Sequence, residues 1–331
     1  MKILLEELYS HKTLSKGTAK QLLIDIVSEK YNPHQIASFL TVLIMRKITV
    51  EELKGFREAL IELMIPINLK QYNPMDVCGT GGDGKNTFNI STLTAFILAG
   101  AGIPIAKHGN YGASSISGSS NVLEQLGVIF QTKETKLQQQ IEVANICFLH
   151  APLFHPSLKY VAPIRKQLGV KTFFNMLGPL VNPAQPKVQY TGVFSLELAR
   201  MYHYLFQEDE QMKYSIVHSN DGYDEIVLTA SCRIISNKKE QQLIANDFGF
   251  TKTQTQDLFG GNSVEEAAHI FLNIIQAKGT QTQNQVVLAN ACIAIQTYYH
   301  HLSLEAALAM ATESLFQLKA FHSLQKLKQI V

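Results

Sequence analysis

Residues Cys78–Thr92 read CGTGGDGKNTFNIST, too many glycines for a core segment. Gly79, Gly81 and Gly84 spell G-x-G-x-x-G, the dinucleotide fingerprint, while Gly79–Asn86 spells G-x-x-x-x-G-K-N, one residue short of a P-loop. The fingerprint needs an acid about twenty residues further on to hold ribose hydroxyls. Lys107-His108 stands there, and no Asp or Glu occurs between Asp83 and Glu124. The P-loop needs a Ser or Thr hydroxyl directly after its lysine to ligate magnesium, and Asn86 takes that place. Both readings fail on a named residue.

A plain turn between strand and helix would not explain the density of donors downstream of the glycines. Asn89-Ile90-Ser91-Thr92 places capping side chains where a long apolar helix begins. Such a helix start offers amides and the positive end of a dipole to an anion. Lys107-His108-Gly109-Asn110 ends the next strand, and Ser114–Ser120 adds hydroxyls and another glycine. From Gly84 to Leu123 the chain carries donors and no carboxylate, which predicts a phosphate-type site.

The chain around this loop is that of an ordinary globular protein. Its 331 residues are 46% hydrophobic and 17% charged, with a net charge of +2. That charge gives no broad basic surface for nucleic acid. Cys78, Cys147, Cys232 and Cys292 form no C-x-x-C pair and read as buried thiols in a reducing compartment. The opening MKILLEELYSHKTL carries glutamates within its apolar run, unlike a signal or transit peptide. The longest apolar run, Leu93–Ala106, is too short to span a bilayer and contains Gly100, Gly102 and Pro104. A cytoplasmic protein with no membrane partner is expected.

Residues 1–66 carry helical patterns. Asn32-Pro33 is a cap followed by proline at the first helical position, with Ile36, Phe39, Leu40, Leu43 and Ile44 at helical spacing. Val42 and Met45 add apolar surface on a second face, so this small domain is expected to bury part of itself against another subunit. Thr49 and Glu52 form a capping box for the next helix, which Pro66 ends. From about residue 73, short apolar runs alternate with helical stretches, the mark of an α/β domain running to 331. Expected strands are 76–78, 104–106, 146–149, 191–194, 215–218, 225–228 and 233–235. From Val264 onward the pattern is mainly helix. Residues 162–182 read as short helices and turns that join the helical domain.

Two further features carry chemistry. Asp224-Glu225, in NDGYDEIV, reads on its own first as a solvated turn, although adjacent carboxylates repel and a cation is a natural reason to place them together. Arg165 sits in apolar company and is either an exposed helix arginine or a bidentate clamp for a carboxylate. His108 and His155 read as satisfied core histidines.

DVCGTGGDGKNTFNIST, KHGN, SSISGSSNVLEQLG, HPSLKYVAPIRKQLGVKTFFNMLGPLVNP and DGYDEI resemble, in order and spacing, the motifs of the anthranilate phosphoribosyltransferases. The resemblance spans essentially the whole chain. It implies a small helical domain plus a larger α/β domain with a central, mostly parallel sheet flanked by helices, assembled as a homodimer through the helical part. The implied reaction transfers the phosphoribosyl group of phosphoribosyl pyrophosphate (PRPP) to the amine of anthranilate, a step of tryptophan synthesis.

By the same resemblance, Gly79, Gly82, Asp83, Thr87, Asn89, Ile90, Ser91 and Thr92 cradle the pyrophosphate. Lys107, His108, Gly109, Asn110, Tyr111, Gly112, Ala113, Ser114, Ser115 and Ser119 complete the PRPP site. Ser91, Asp224 and Glu225 become ligands of Mg²⁺, two ions per subunit. Gly79, Asn110, Arg165, His108 and His155 are implied around anthranilate. Lys107, Ser91 and Asn89 are implied to stabilise the transition state, with no general base assigned. Tyr111, Asn121 and Ser219 depart from residues common in the family: an arginine, an aspartate and a glycine. A pyrimidine nucleoside phosphorylase would share the architecture without needing the carboxylate pair. A nucleic-acid-binding relative should have gained a basic groove.

Overall fold

The computed structural model describes residues 1–112 and 116–330. The chain forms two compact units, Met1–Pro66 with Ala151–Pro183, and Ile67–His150 with Ala184–Val331.

The helical unit opens with α1 (Lys2–Tyr9), α2 (Lys16–Val27), α3 (Pro33–Arg46) and α4 (Val50–Leu63). Asn32 and Gln35 cap α3 reciprocally with Pro33 at its first turn, and Thr49 and Glu52 do the same for α4. The core face of α3 buries Ile36, Phe39, Leu40 and Leu43, while Ile44 and Met45 stay exposed. The returning segment starts at Ala151, earlier than the sequence suggested. It adds a helix at Val161–Leu168 and 3₁₀ turns at Phe173–Met176 and Gly178–Leu180. Phe173 fixes it by stacking on Phe56, ring centres 4.3 Å apart, with Phe39 edge-on at 6.0 Å. Such aromatic pairs each add about 0.5–1.5 kcal/mol beyond their area burial.

The α/β unit is built on one sheet of strands β1 (Met75–Val77), β2 (Ile105–Gly109), β3 (Ile146–His150), β4 (Val188–Gly192), β5 (Lys213–Ser219), β6 (Cys232–Ser236) and β7 (Glu240–Leu243). Their spatial order is β3-β2-β1-β4-β5-β6-β7, parallel from β3 to β5 and antiparallel at β6 and β7. Helix α5 (Ile90–Gly100) follows β1 and is buried nearly all round. Helices at Val264–Ile275, Gln281–Tyr298, Leu304–Phe316 and Lys319–Lys328 all pack on it. A helix apolar on every face belongs at such a centre, and Phe96→Ala in it would cost about 3–5 kcal/mol.

Two strand expectations need correction, and one strand was not expected. Residues 225–228 form no strand. Their backbone is satisfied by side chains instead: Ile226 N–H donates to Asn290 Oδ1 (3.1 Å), Asn290 Nδ2 donates back to the Ile226 carbonyl (2.7 Å), and Thr253 Oγ1 donates to the Val227 carbonyl (2.6 Å). Strand β4 begins at Val188 rather than 191, because polar Gln189 is buried within it and masks the start. Strand β7 is an edge strand, EQQL, with no apolar signal to reveal it.

Candidate functional site

Strand β1 lies between β2 and β4, and the chain crosses first to one side and later to the other. Ligands of open α/β sheets bind beyond the strand ends at such a switch. The glycine loop leaves β1 at that point. Cys78 N–H donates to the Tyr190 carbonyl (3.2 Å) and Thr80 N–H to the Gly192 carbonyl (2.9 Å), so the loop first runs along β4. At Gly79 a Cβ would stand 2.6 Å from Asp224 Oδ2, closer than atoms tolerate. Gly81 has φ +59°, in the left-handed region that favours glycine.

The two carboxylates after β5 pin the two halves of this loop. Asp224 Oδ2 accepts from Gly81 N–H at 2.7 Å. Glu225 Oε1 accepts from both the amide (2.8 Å) and the hydroxyl (2.7 Å) of Ser91. Burial pushes both acids well above the ordinary carboxylate range; the Asp83 charge adds to the effect on Asp224, and the Asp224 charge to that on Glu225. The pair is therefore buried, not the solvated turn that the pair alone suggested. Asp83 is a third acid of this cluster, and its Oδ1 accepts from the Lys85 amide (3.0 Å).

The start of α5 behaves differently from the expectation of an open anion seat. Ile90 N–H donates to the Phe88 carbonyl, and the amides of Thr92 and Leu93 donate to the Asn89 carbonyl. Since Ser91 N–H goes to Glu225, all four first-turn amides are bonded, and the anion at the helix start is the protein's own carboxylate. Asn89 does not cap its helix; its Nδ2 donates to the Ser117 carbonyl (3.2 Å). Asn86, the residue that spoiled the P-loop pattern, donates through its carboxamide to the Gly261 carbonyl (2.8 Å). Thr87 bridges to Phe259.

On the neighbouring strand, Lys107 is 3% exposed and its ammonium donates to the Val77 carbonyl (2.6 Å). His108 is buried, and its amide donates to Asp76 Oδ1 (3.1 Å). Asn110 turns the chain: its carbonyl accepts from Ser120 N–H (3.1 Å) and Ser119 Oγ (3.4 Å). Ala113, Ser114 and Ser115 lie outside the described residues.

The departures from the family pattern have local roles. Asn121 Oδ1 accepts from both Gly112 and Gly118 amides at 2.9 Å. Tyr111 packs edge-on against His150, centroids 4.8 Å apart. Ser219 Oγ donates to the Glu225 carbonyl (2.6 Å), steadying the acid pair. Ser219 is a site residue that sequence reasoning treated only as a departure. Its position after His218, five residues before Asp224, was the available signal.

Arg165 and His155 belong to the helical unit. The Arg165 guanidinium stacks 4.9 Å over Phe174, reaches Asn175 Oδ1 at 3.5 Å, and forms no ion pair with any described carboxylate. Burial lowers its pKa. His155 is a satisfied core histidine in one respect: its Nε2 is 2.9 Å from the Val181 carbonyl, and burial drives its pKa down to about 4, so the ring is neutral.

Among the described residues no cluster of three or more His, Cys, Asp or Glu could hold a metal ion. Among the described residues no helix is long and apolar enough to cross a membrane. Cys147, Cys232 and Cys292 are buried free thiols, and burial raises the latter two to about 12.

Comparison with known proteins bears on the whole chain. Residues 71–321 match the "Glycosyl transferase family, a/b domain" and residues 2–64 the "Glycosyl transferase family, helical bundle domain". An anthranilate phosphoribosyltransferase of Flavobacterium psychrophilum is 56% identical over 330 residues, 100% of this chain and 99% of that one. The crystal structure of the Thermus thermophilus anthranilate phosphoribosyltransferase superposes with TM-score 0.89 at 31% identity, covering 98% of both chains. The Saccharomyces cerevisiae enzyme in complex with PRPP and Mg superposes with TM-score 0.89 at 26% identity, covering 98% of this chain and 96% of that one.

Proposed function

The chain belongs to the anthranilate phosphoribosyltransferase family, and from that premise we propose how its residues carry the transfer of a phosphoribosyl group from PRPP to anthranilate. The observation that carries the reading is the buried Asp224–Glu225 pair clamped onto Gly81 and Ser91. Two adjacent buried acids with raised pKa values call for a cation. Magnesium held together with substrate phosphates needs only one or two carboxylates, so the want of a larger ligand cluster is no obstacle. Asp224, Glu225 and the Ser91 hydroxyl fit it, two ions per subunit in our reading. When bound, Mg²⁺ would supply positive charge against the departing pyrophosphate.

The chain's own residues do the rest. The loop, held to β4 through the Thr80 amide and to Asp224 through that of Gly81, keeps the Gly82 and Gly84 amides for the pyrophosphate without reorganisation. Gly82, Asp83, Thr87, Asn89, Ile90 and Thr92 frame the same cradle. The Lys107 ammonium uses one of its three protons on Val77 and keeps two for phosphate oxygens. Residues 108–115 and Ser119 hold the phosphoribosyl end. Breaking the bond at ribose C1 builds positive charge on the sugar and negative charge on pyrophosphate. The arylamine of anthranilate is neutral at pH 7 and needs positioning more than deprotonation. Arg165, a half-buried cation without a described acid partner, offers its charge to the anthranilate carboxylate. Dimerisation through the helical unit rests on its exposed Ile3, Tyr9, Ile44 and Met45. A cytoplasmic setting suits the buried free thiols.

The decisive assay follows anthranilate fluorescence with PRPP and Mg²⁺. Fluorescence falls only when all three components and the enzyme are present. No fall with the complete mixture would overturn the reading.

A further inference from the structure

Lys85 is the only Lys or Arg between Lys70 and Lys107. It sits inside the glycine loop, two residues after Asp83, on a backbone fixed from both sides. Its own amide donates to Asp83 Oδ1. Beyond it, Gly260 N–H donates to the Asn86 carbonyl (2.9 Å) and Phe88 N–H to the Leu258 carbonyl (3.0 Å). The side chain is placed as well: the ammonium lies 4.8 Å from the centre of the Tyr223 ring.

Tyr223 is 3% exposed and immediately precedes Asp224 and Glu225. Its carbonyl accepts from Ser219 N–H (3.1 Å), the residue whose hydroxyl holds the Glu225 carbonyl. The ring and the acid pair therefore ride on one turn. Asp83, two residues before Lys85, is the acid with which a lysine at this position would ordinarily pair. Lys85 forms no ion pair with any described carboxylate; it rests on the ring face instead. A ring face attracts the charge but takes up no N–H in a hydrogen bond to an oxygen. The three protons remain available to oxygen acceptors brought in from outside.

We infer that Lys85 is a pyrophosphate-contacting residue, resting on the Tyr223 ring within the glycine loop and donating to the diphosphate oxygens of PRPP and of the released pyrophosphate. The inference rests on the phosphoribosyltransferase reading and adds to it a cation that belongs to the loop itself. Lys107 serves from the neighbouring strand, whereas Lys85 stands on the glycine loop itself. The chemistry is recognition of a diphosphate by an ammonium; no covalent step is involved.

The test compares wild type with Lys85→Met and Lys85→Arg. Inorganic pyrophosphate binding is measured by calorimetry in the presence of Mg²⁺, beside KM for each substrate and the melting temperature. One lost charge-assisted contact predicts a roughly tenfold weaker pyrophosphate Kd and PRPP KM in Lys85→Met. Anthranilate KM and melting temperature stay at wild-type values, and Lys85→Arg recovers most of the loss. A merely structural lysine would shift the melting temperature and leave the pyrophosphate Kd alone; that result overturns the inference. A wild-type enzyme that binds pyrophosphate but consumes no anthranilate would instead overturn the functional reading.

Discussion

Glu52 in the helical unit and Glu225 in the α/β unit are both buried carboxylates, each accepting from a backbone amide and a neighbouring hydroxyl at a helix start. Glu52 takes Thr49 N–H (2.9 Å) and Oγ1 (3.1 Å), and also Leu14 N–H (2.8 Å); Glu225 takes both groups of Ser91. They differ in their charged company. Arg46 lies against Glu52 with both terminal guanidinium nitrogens engaged. Burial raises Glu52, but the Arg46 contact and the amides outweigh it, so its pKa ends below normal. Glu225 has Asp224 and Asp83 for neighbours, and its pKa ends above normal. An acid that carries its own cation serves the fold. An acid pair left without one is poised for a ligand, which is why perturbed groups gather at functional sites.

Removing the cation from the first site gives the largest expected effect. Arg46→Ala leaves Glu52 charged and buried, and should cost about 3–5 kcal/mol in urea or thermal unfolding. A loss under about 1 kcal/mol would mean that Glu52 does not depend on its partner. Activity per folded molecule should be preserved.

Glu225→Gln tests the opposite site and should reverse that pattern. Activity falls roughly a hundredfold, the range for disturbed metal ligation. The metal-free protein melts no earlier than wild type, because a buried charge held at a cost has gone. Magnesium raises the melting temperature of wild type more than that of the variant. Equal magnesium shifts in both proteins would remove Glu225 from the metal site.

Arg165 extends the comparison to cations, since it is half-buried with no described acid to offset it. Arg165→Ala should raise the anthranilate KM roughly ten- to a hundredfold, as loss of a charge-assisted contact predicts, and leave the PRPP KM nearly intact. Steady-state kinetics with the reverse pattern would put the guanidinium on the other substrate.

How far the sequence carried depended on whether a signal was local. The Asn32 cap, the Thr49–Glu52 capping box, the α3 core face and the alternation from residue 73 are short-range patterns, and they appear where expected. The failure of both famous glycine motifs was equally legible, through Asn86 and the missing acid after Asp83. What could not be read were contacts made across long stretches of chain. Asn290 supplies the partners of residue 226, 64 residues away, and so turned an expected strand into an irregular segment. Glu225 reaches Ser91 across 134 residues and fills the helix start that sequence left open for substrate. From the pair alone, Asp224-Glu225 read as solvated because adjacent acids usually are; only burial on the sheet distinguishes it.

The smallest effect concerns a buried group that avoids charge altogether. His155 has a pKa lowered from 6.5 to about 4, first by burial, against a weaker opposing pull from the Val181 carbonyl. A histidine whose folded pKa lies below its unfolded value contributes stability that is complete above the unfolded pKa and is lost as pH falls toward the folded one. The window therefore runs from about pH 6.5 down to about pH 4. Between pH 7 and pH 6 the linkage amounts to about half to one kcal/mol. His155→Gln keeps a donor for Val181 but cannot titrate. Its unfolding free energy should thus decline less than that of wild type over that pH unit, whatever its absolute stability. Parallel declines would mean that the ring titrates in the fold as it does in the unfolded chain; a steeper decline in the variant than in wild type would mean a ring held protonated in the fold, and His155 would then join Arg165 among the cations that await an anion.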